Sequence, residues 1–295
     1  MELEFKAIDL RQQKDYMNLL ALCPIKFSDI SFINLWAWAE EYGLVWARDE
    51  NLVWIRQTRP EACYWPPVGP WEDIDWQACI HRNIKRPALF TRMPDQLVRL
   101  WENRLPTALT IEDTRDHWDY LYLSDELIEL KGSKLHKKKN LLNQFKKGYD
   151  FTYRKIDTET IELTRQMQQD WCTWRDCESS DTLAAENRAI ERVLTHWEIF
   201  EGIAGGCIST GNTIIAYTVA ERLTDDTVLI HFEKADPNYK GAYQAINQMF
   251  LEHSNHPFSF VNREQDLGDP GLRKAKLSYG PSGFVHKFRV VIRES

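Results

Sequence analysis

The second half of the chain places strand and helix patterns in an order that few folds can accommodate. Strands rich in apolar residues are predicted over residues 203–209, 212–222, 228–235 and 258–262. Thr210 and Gly211 join the first two strands by a sequence typical of a tight hairpin. A helix predicted over residues 239–253 separates the last two strands, which favours a parallel, right-handed crossover. The order therefore predicts a mixed sheet that contains one hairpin and one parallel unit.

The helix predicted over residues 239–253 carries its apolar side chains on one face. They recur at i, i+3, i+4, i+7 and i+8, namely Ala242, Ala245, Ile246, Met249 and Phe250. A short helix opened by Asp269 and Pro270 follows, and a last strand is predicted over residues 284–292.

The first half repeats this order: a hairpin, then strand, helix, strand, helix and strand. The halves differ in composition, since nine of the twelve tryptophans lie before residue 120 and the lysines cluster after residue 130. We predict an α/β protein of two tandem lobes, residues 1–125 and 126–295, with the lysine cluster and the active site in the second. Each lobe is expected to be a mixed, mostly antiparallel sheet flanked by helices.

Composition excludes several classes of protein. The net charge is −7, so binding of a polyanion depends on a local patch rather than on overall charge. No run of about 18 apolar residues is present, and the N-terminus has no segment typical of a signal peptide, so a cytoplasmic location is expected. The six cysteines show no C-x-x-C pair and the eight histidines no H-E-x-x-H motif, which predicts reduced thiols and no metal site.

Residues 131–147 contain seven lysines, one histidine and no acidic residue. One interpretation is a solvated helix face whose lysines extend over the core. The other is a surface that binds a polyanion such as tRNA, a nucleotide or an anionic lipid headgroup. The candidate substrate-binding residues in this segment are Lys134, His136, Lys137, Lys138 and Lys139.

The turn over residues 236–241 leads from a strand into a helix through a glycine. Backbone N–H groups at a helix start can hold phosphate, and a glycine allows close approach, so Tyr239, Lys240 and Gly241 are candidate binding residues. An ordinary helix start capped by Asp236 or Asn238 is the equal alternative.

Polar residues crowd the carboxyl ends of two predicted strands, where ligands of such sheets bind. Their carboxylates could hold a substrate ammonium or act as general base, which requires a pKa tuned by burial; a plain surface loop is the alternative. The candidate catalytic residues are His231, Glu233, Glu264 and Asp266, and the candidate binding residues are Asn262 and Arg263.

Lys276 lies one helical turn after Leu272, on the predicted buried side of the last helix. A lysine near a core either extends its charge to solvent or is held as a charge at a site, so Lys276 is a further candidate catalytic residue. An ion pair with Glu264 or Asp266 is the structural alternative. Arg273, on the same helix, is a candidate binding residue.

The strand and helix order, with residues 237–241 opening the central helix, resembles the GNAT acyltransferase fold. The pyrophosphate-binding pattern of that fold, Q/R-x-x-G-x-G/A, is only partly matched, because Asn238 stands at its first position and Tyr243 at its last. Residues 32–38, 131–140 and 262–281 resemble more closely the phosphatidylglycerol lysyltransferase C-terminal-domain family, a bacterial-type family with tandem GNAT-like lobes.

This resemblance implies transfer of an aminoacyl group from aminoacyl-tRNA to an acceptor, with no tightly bound cofactor. Family enzymes attach the group to phosphatidylglycerol and carry a large membrane region upstream, which this sequence does not contain, so the acceptor stays open. Peripheral association with an anionic membrane surface is compatible with this picture.

Three functions follow as hypotheses. In the first, a transferase uses Glu264 or Asp266 to take the acceptor proton, while Lys276 and backbone N–H groups near Glu233 meet the developing oxyanion. In the second, a non-catalytic GNAT-like module binds RNA or another anion through the lysine segment. In the third, an N-acetyltransferase uses acyl-CoA as donor.

Overall fold

The chain folds into two units, and its last segments return to the first. A computed structural model describes residues 3–49, 51–105, 109–254 and 256–293. The first unit combines Met1–Asp119 with Gln265–Gly268 and Phe284–Ser295. The second combines Tyr120–Glu264 with Asp269–Gly283.

Strands and α-helices both occur throughout the described chain. The strands are β1 Lys6–Ala7, β2 Val45–Arg48, β3 Val53–Gln57, β4 Cys63–Val68, β5 Ala88–Pro94, β6 Leu109–Asp113, β7 Asp119–Leu123, β8 Thr152–Lys155, β9 Ile203–Thr210, β10 Thr213–Arg222, β11 Thr227–Ala235, β12 Phe260–Asn262, β13 Gly283–Val285 and β14 Lys287–Ile292. The helices are α1 Gln13–Ala21, α2 Phe32–Ala37, α3 Ala39–Tyr42, α4 Trp76–Asn83, α5 Asp95–Arg104, α6 Ser124–Glu129, α7 His136–Gly148, α8 Ile161–Trp174, α9 Asp181–Thr195, α10 Ala242–Glu252 and α11 Pro270–Leu277.

The sheet of the first unit has the order β1-β2-β3-β4-β5-β14-β6. β4 and β5, which α4 joins, are parallel, and β14 pairs antiparallel with both β5 and β6. Large aromatic side chains fill the core of this unit, and the fully buried indoles are Trp54, Trp71, Trp76 and Trp101. These rings supply much of the apolar area that stabilises the unit.

A cluster of charged side chains is also buried in the first unit. The ammonium of Lys287 donates to the carboxylates of Asp29 and Asp119, and Arg92 donates to Asp29 at 2.7 Å. Gln265 adds a bond of 3.0 Å from its amide nitrogen to Asp29. Burial opposes the charge on Asp29, but Lys287 and Arg92 outweigh it and lower the pKa of that carboxyl below its usual value.

The second sheet, formed mainly by strands of the second unit, has the order β13-β7-β12-β11-β10-β9-β8. The predicted hairpin is present as the antiparallel pair β9 and β10, and the predicted crossover as β11–α10–β12, whose strands are parallel. α10 buries the predicted apolar face against the sheet. Two mixed sheets flanked by helices confirm the predicted fold class.

Two sequence-based expectations were wrong. The strand expected over residues 284–292 is divided into β13 and β14, because β13 joins the sheet that contains β7 whereas β14 joins the sheet that contains β5 and β6. The thiols were expected to be reduced, but Cys172 and Cys177 form a disulfide beyond the end of α8, where the turn brings their Cα atoms to 5.1 Å.

Candidate active site

A gap opens between two parallel strands of the second unit. β11 and β12 pair from Thr227 and Phe260 to Leu229 and Asn262. β12 ends there, whereas β11 continues to Ala235. The strands separate at their carboxyl ends, where α/β sheets bind ligands, and polar side chains occupy the separation.

Glu233 and Arg263 bridge this separation. The Glu233 carboxylate accepts from Nη2 of Arg263 at 2.9 Å and from the side-chain amide of Asn247 on α10 at 3.1 Å. The side chains of Glu233 and Arg263 are only 9% and 14% exposed, so the pair is poorly screened by water. Glu233 therefore orients the guanidinium.

His231 is on β11, as Glu233 is, and its imidazole lies between two carboxylates. The pairing of β10 with β11 shifts there, from Val219 opposite Phe232 to Ala220 opposite Ile230, which leaves His231 as the extra residue of a bulge. Its Nδ1 lies 3.1 Å from Glu264 and its Nε2 lies 3.5 Å from Glu221.

This arrangement sets the charge of the imidazole. Burial disfavours the charged ring, but hydrogen bonds and Coulombic attraction from Glu221 and Glu264 outweigh burial and raise the pKa of His231 to about 9. His231 is therefore an imidazolium near neutral pH, and its proton lies within reach of the Glu264 carboxylate.

The backbone presents Glu264 through a left-handed turn. Glu264 has φ +56°, which is costly for a residue with a side chain. Its N–H donates to the side-chain oxygen of Asn262 at 2.8 Å, and its carbonyl accepts from the Tyr120 N–H at 3.2 Å. Asn262 is thus a buried support for the turn. Because β12 ends at Asn262, strand alternation does not continue into the following residues.

Lys276 contacts the same segment from α11. Its Nζ donates to the carbonyl of Arg263 at 2.5 Å and lies 5.6 Å from the ring centroid of Tyr120. The Tyr122 hydroxyl donates to the Lys276 carbonyl at 2.9 Å, which fixes the end of α11 against β7. The structure therefore joins Lys276 to the Arg263 segment.

The lysine-rich segment contributes one half-buried cation. Nζ of Lys138, on α7, lies 4.3 Å from the ring centroid of Tyr279, and the Arg263 guanidinium carbon lies 5.0 Å from the same centroid. Burial, and then repulsion by Arg263, lower the pKa of Lys138. Lys138 thus lies near Arg263.

The other members of the segment lie further out. Lys134, His136 and Lys137 are exposed, and Nζ of Lys139 donates to the Glu129 carbonyl at 3.3 Å. They form a positively charged surface at the start of α7, beside a shallow depression of about 470 Å³. This surface suits long-range attraction of anions more than specific contact.

The turn before α10 packs against α7 and Tyr149. Gly241 has φ +91°, and a Cβ there would lie 2.3 Å from the Leu141 carbonyl oxygen on α7. The N–H of Lys240 donates to the Tyr149 hydroxyl at 3.1 Å, and the ring of Tyr239 packs on that of Tyr149. The glycine therefore permits close packing of α7 against this turn.

Two further sequence candidates are Asp266 and Arg273. Asp266 belongs to the first unit, where it is fully buried, contacts Arg115 at 3.3 Å and caps the Gly268 N–H at 2.9 Å. Arg273 is half-buried on α11.

Sequence reasoning missed several residues of the site. Glu221 ends a long apolar strand, Asn247 lies on the buried face of α10, and Tyr122 and Tyr279 supply the rings around Arg263. The one signal in the sequence that could have identified such residues is an acidic or amide side chain within an apolar pattern. Glu221 and Asn247 show this signal.

The site holds acid–base groups and cations in one place. Glu264 with His231 can exchange a proton, while Arg263, Lys138 and Lys276 can stabilise negative charge. Among residues 3–49, 51–105, 109–254 and 256–293, no group of three or more His, Cys, Asp or Glu is arranged to hold a metal ion. Within the same ranges, every helix is too short or too polar to span a bilayer.

Comparison with known proteins relates this architecture to a family. The family model for the C-terminal region of phosphatidylglycerol lysyltransferase matches residues 21–291. A protein of unknown function from Bacteroides thetaiotaomicron has 28% identity and a TM-score of 0.90, covering 99% of this chain and 100% of its own.

A C-terminal domain of a candidate lysylphosphatidylglycerol synthetase from Agrobacterium fabrum shares the fold, with a TM-score of 0.64 and 13% identity over 96% of this chain and 90% of its own. An uncharacterized protein of Mycoplasmoides gallisepticum is 29% identical over 188 residues, which is 59% of this chain and 56% of that protein. The match thus spans little more than half of that relative.

Proposed function

Because the chain belongs to the phosphatidylglycerol lysyltransferase C-terminal family, we propose that it transfers an aminoacyl group from aminoacyl-tRNA to a hydroxyl or amine acceptor. Family and fold support an acyltransferase; the tRNA-linked donor and a phosphatidylglycerol-type acceptor are the finer parts of the proposal. The proposal also includes a location in the cytoplasm, at an anionic membrane surface, as the sequence analysis expected.

One observation carries the proposal. Glu233, His231, Arg263 and Glu264 meet where β11 and β12 separate, linked by contacts of 2.9 Å and 3.1 Å. A carboxylate beside a charged imidazole and buried cations is what acyl transfer needs, since it must move a proton and stabilise an oxyanion.

The chemistry assigns a role to each group. The acceptor oxygen or nitrogen attacks the ester carbonyl carbon of the donor, and Glu264 accepts the acceptor's proton. Lys276 and backbone N–H groups near Glu233 face the developing oxyanion. The ester C–O bond then breaks, and the ribose oxygen leaves with the proton that Glu264 or His231 returns. Glu233 and Lys276 position Arg263 through its side chain and its carbonyl respectively.

A transfer assay tests this function. The purified chain is incubated with a mixture of radiolabelled aminoacyl-tRNAs and either phosphatidylglycerol vesicles or soluble amines. Glu264→Gln should lower kcat by at least about 100-fold, because a general base contributes that much or more. Glu252→Gln, at the exposed end of α10, is the matched control and should leave the rate unchanged. Absence of transfer from every aminoacyl-tRNA would refute the proposal.

A second function rests on the exposed lysines at the start of α7. A module that only binds RNA would use Lys134 and Lys137, and its log affinity would fall linearly with log salt, by about 0.7 per phosphate contact on single strands. Binding that survives joint replacement of Lys134, Lys137 and Lys139 by Ala would contradict it.

The acyl-CoA hypothesis is less well supported, because the N–H of Lys240 is already bonded to Tyr149 and α7 packs against Gly241. Calorimetry with acetyl-CoA tests it directly; micromolar binding would restore it.

A further inference from the structure

Arg263, Lys138 and Tyr279 bring hydrogen-bond donors to one place, and within the residues that the structure describes one of these donors is buried without an acceptor. Nη1 of Arg263 is buried and has no hydrogen-bond partner among the described residues, since Glu233 takes only Nη2. Lys138 makes neither an ion pair nor a hydrogen bond within the described part of the chain and contacts only the ring. Buried donors without partners are rare in folded proteins and indicate a missing ligand or water.

The Tyr279 hydroxyl adds a third donor. Its oxygen accepts from the side-chain amide of Gln244 at 3.2 Å, which leaves its own proton to be donated. Burial raises the pKa of Tyr279 above its usual value, so the hydroxyl keeps that proton at neutral pH. The three groups come from α7, from the segment after β12 and from the end of α11.

The surroundings select an anion. Arginine and lysine offer donors and no acceptor, and Lys276 adds a further positive charge on the Arg263 segment. Glu233, the carboxylate paired with Arg263, is already engaged by that residue and by Asn247. Repulsion between Lys138 and Arg263, which lowers the pKa of Lys138, is relieved when an anion binds between them.

We propose that Lys138, Arg263 and Tyr279 form a binding site for one phosphate group of a phosphate ester. Three separate donor groups match the three free oxygens of a phosphate monoester, whereas a carboxylate offers two. The site is distinct from the exposed lysines of α7, which only attract the ligand. The assignment rests on the proposed function only for the identity of the molecule that carries the phosphate.

Titration with inorganic phosphate and with acetate tests the site. Isothermal calorimetry measures the affinity of each anion, and carbon NMR of the lysine side chains measures the pKa of Lys138. Wild-type protein should bind phosphate more tightly than acetate, and the pKa of Lys138 should rise on binding. Lys138→Met should weaken phosphate binding at least about tenfold, because a charge-assisted hydrogen bond is lost. Tyr279→Phe should weaken it several-fold. Lys147→Met, at the exposed end of the same helix, should bind like wild type.

Equal binding by the Lys138 and Lys147 variants, or equal affinity for acetate and phosphate, would overturn the site. AMP and glycerol 3-phosphate serve as further probes: a preference for AMP supports a nucleoside monophosphate, and a preference for glycerol 3-phosphate supports the phosphate monoester of a small polyol. These binding measurements contain no acyl donor and do not depend on transfer activity. Failure of the phosphate site and failure of the transferase proposal can therefore be told apart.

Discussion

Glu233 and Arg263 belong to the ends of two parallel neighbouring strands and form an ion pair of 2.9 Å where those strands separate. The pair closes a gap that strand hydrogen bonds leave open, and it points one face of the guanidinium toward Tyr279. The contribution of this ion pair to the free energy of unfolding can be measured separately from its contribution to activity.

Breaking this pair on one side should be more harmful than removing both charges. Arg263→Met leaves the Glu233 carboxylate buried without its cation and should lower the free energy of unfolding by about 3–5 kcal/mol. The double variant Glu233→Gln with Arg263→Met should recover part of that loss. Urea unfolding of the four proteins gives the coupling energy; an additive result would contradict the prediction.

An exposed pair provides the control for that cycle. Arg99 and Asp95 form an i,i+4 ion pair with side chains 72% and 41% exposed. Arg99→Met should cost less than about 0.5 kcal/mol, as for other surface pairs.

His231 should make stability fall at alkaline pH. Its folded pKa of about 9 lies above the unfolded value of about 6.5, so its contribution is complete below pH 6.5 and disappears as the pH rises through 9. The contribution lost is on the order of 2–3 kcal/mol. Urea unfolding between pH 6 and pH 10 measures the decline.

Histidine variants separate this effect from other titrations. His231→Gln should remove most of the decline, whereas His81→Gln, at an exposed position on α4, should keep it. An unchanged alkaline slope in the His231 variant would show that the imidazole is not charged between Glu221 and Glu264.

Gly241 should tolerate no side chain. Gly241→Ala combines an unfavourable positive φ with a Cβ 2.3 Å from the Leu141 carbonyl oxygen, and should cost about 2–4 kcal/mol of unfolding free energy. Gly202 has a similar φ of +80° and open space around the missing Cβ. Gly202→Ala should therefore cost only about 1 kcal/mol. Thermal unfolding compares the two, and equal losses would exclude the contact with α7.

The buried charges of the first unit should respond to acid. Lys287→Met leaves Asp29 and Asp119 without their shared cation and should destabilise the protein by about 3–5 kcal/mol at pH 7. Asp29 has a lowered pKa in the native protein, so its contribution is present above its unfolded pKa of about 3.9 and is lost as the pH falls through the folded value.

The deficit of the Lys287 variant should therefore be largest near pH 7 and smaller near pH 3, where the pH approaches the lowered pKa of Asp29. Urea midpoints at the two pH values test this, with Lys147→Met as the exposed control. A deficit independent of pH would mean that packing rather than charge is responsible.

Local patterns were enough to predict the part of the fold that holds the site. The apolar spacing from Ala242 to Phe250 specified the buried face of α10, and Thr210–Gly211 specified the hairpin. Both depend on neighbours in sequence, which is why periodicity detects them. The polar ends of β11 and β12 followed from topology in the same way.

Long-range pairing was beyond such patterns. Asp266 contacts Arg115, 151 residues earlier, and Gly241 faces the backbone of Leu141. Neither contact leaves a mark in local composition, because each depends on how separate segments pack.

The position of β14 has a consequence for how the protein is made. β14 is the strand neighbour of β6 and lies between it and β5, yet it ends the described chain. A ribosome has therefore delivered all of the second unit, through Gly283, before Lys287–Ile292 leaves the exit tunnel. Until β14 is available, β5 and β6 of the first unit lack the strand that pairs with both of them. The second unit, although it is translated later, is therefore the first to have its whole sequence available for folding.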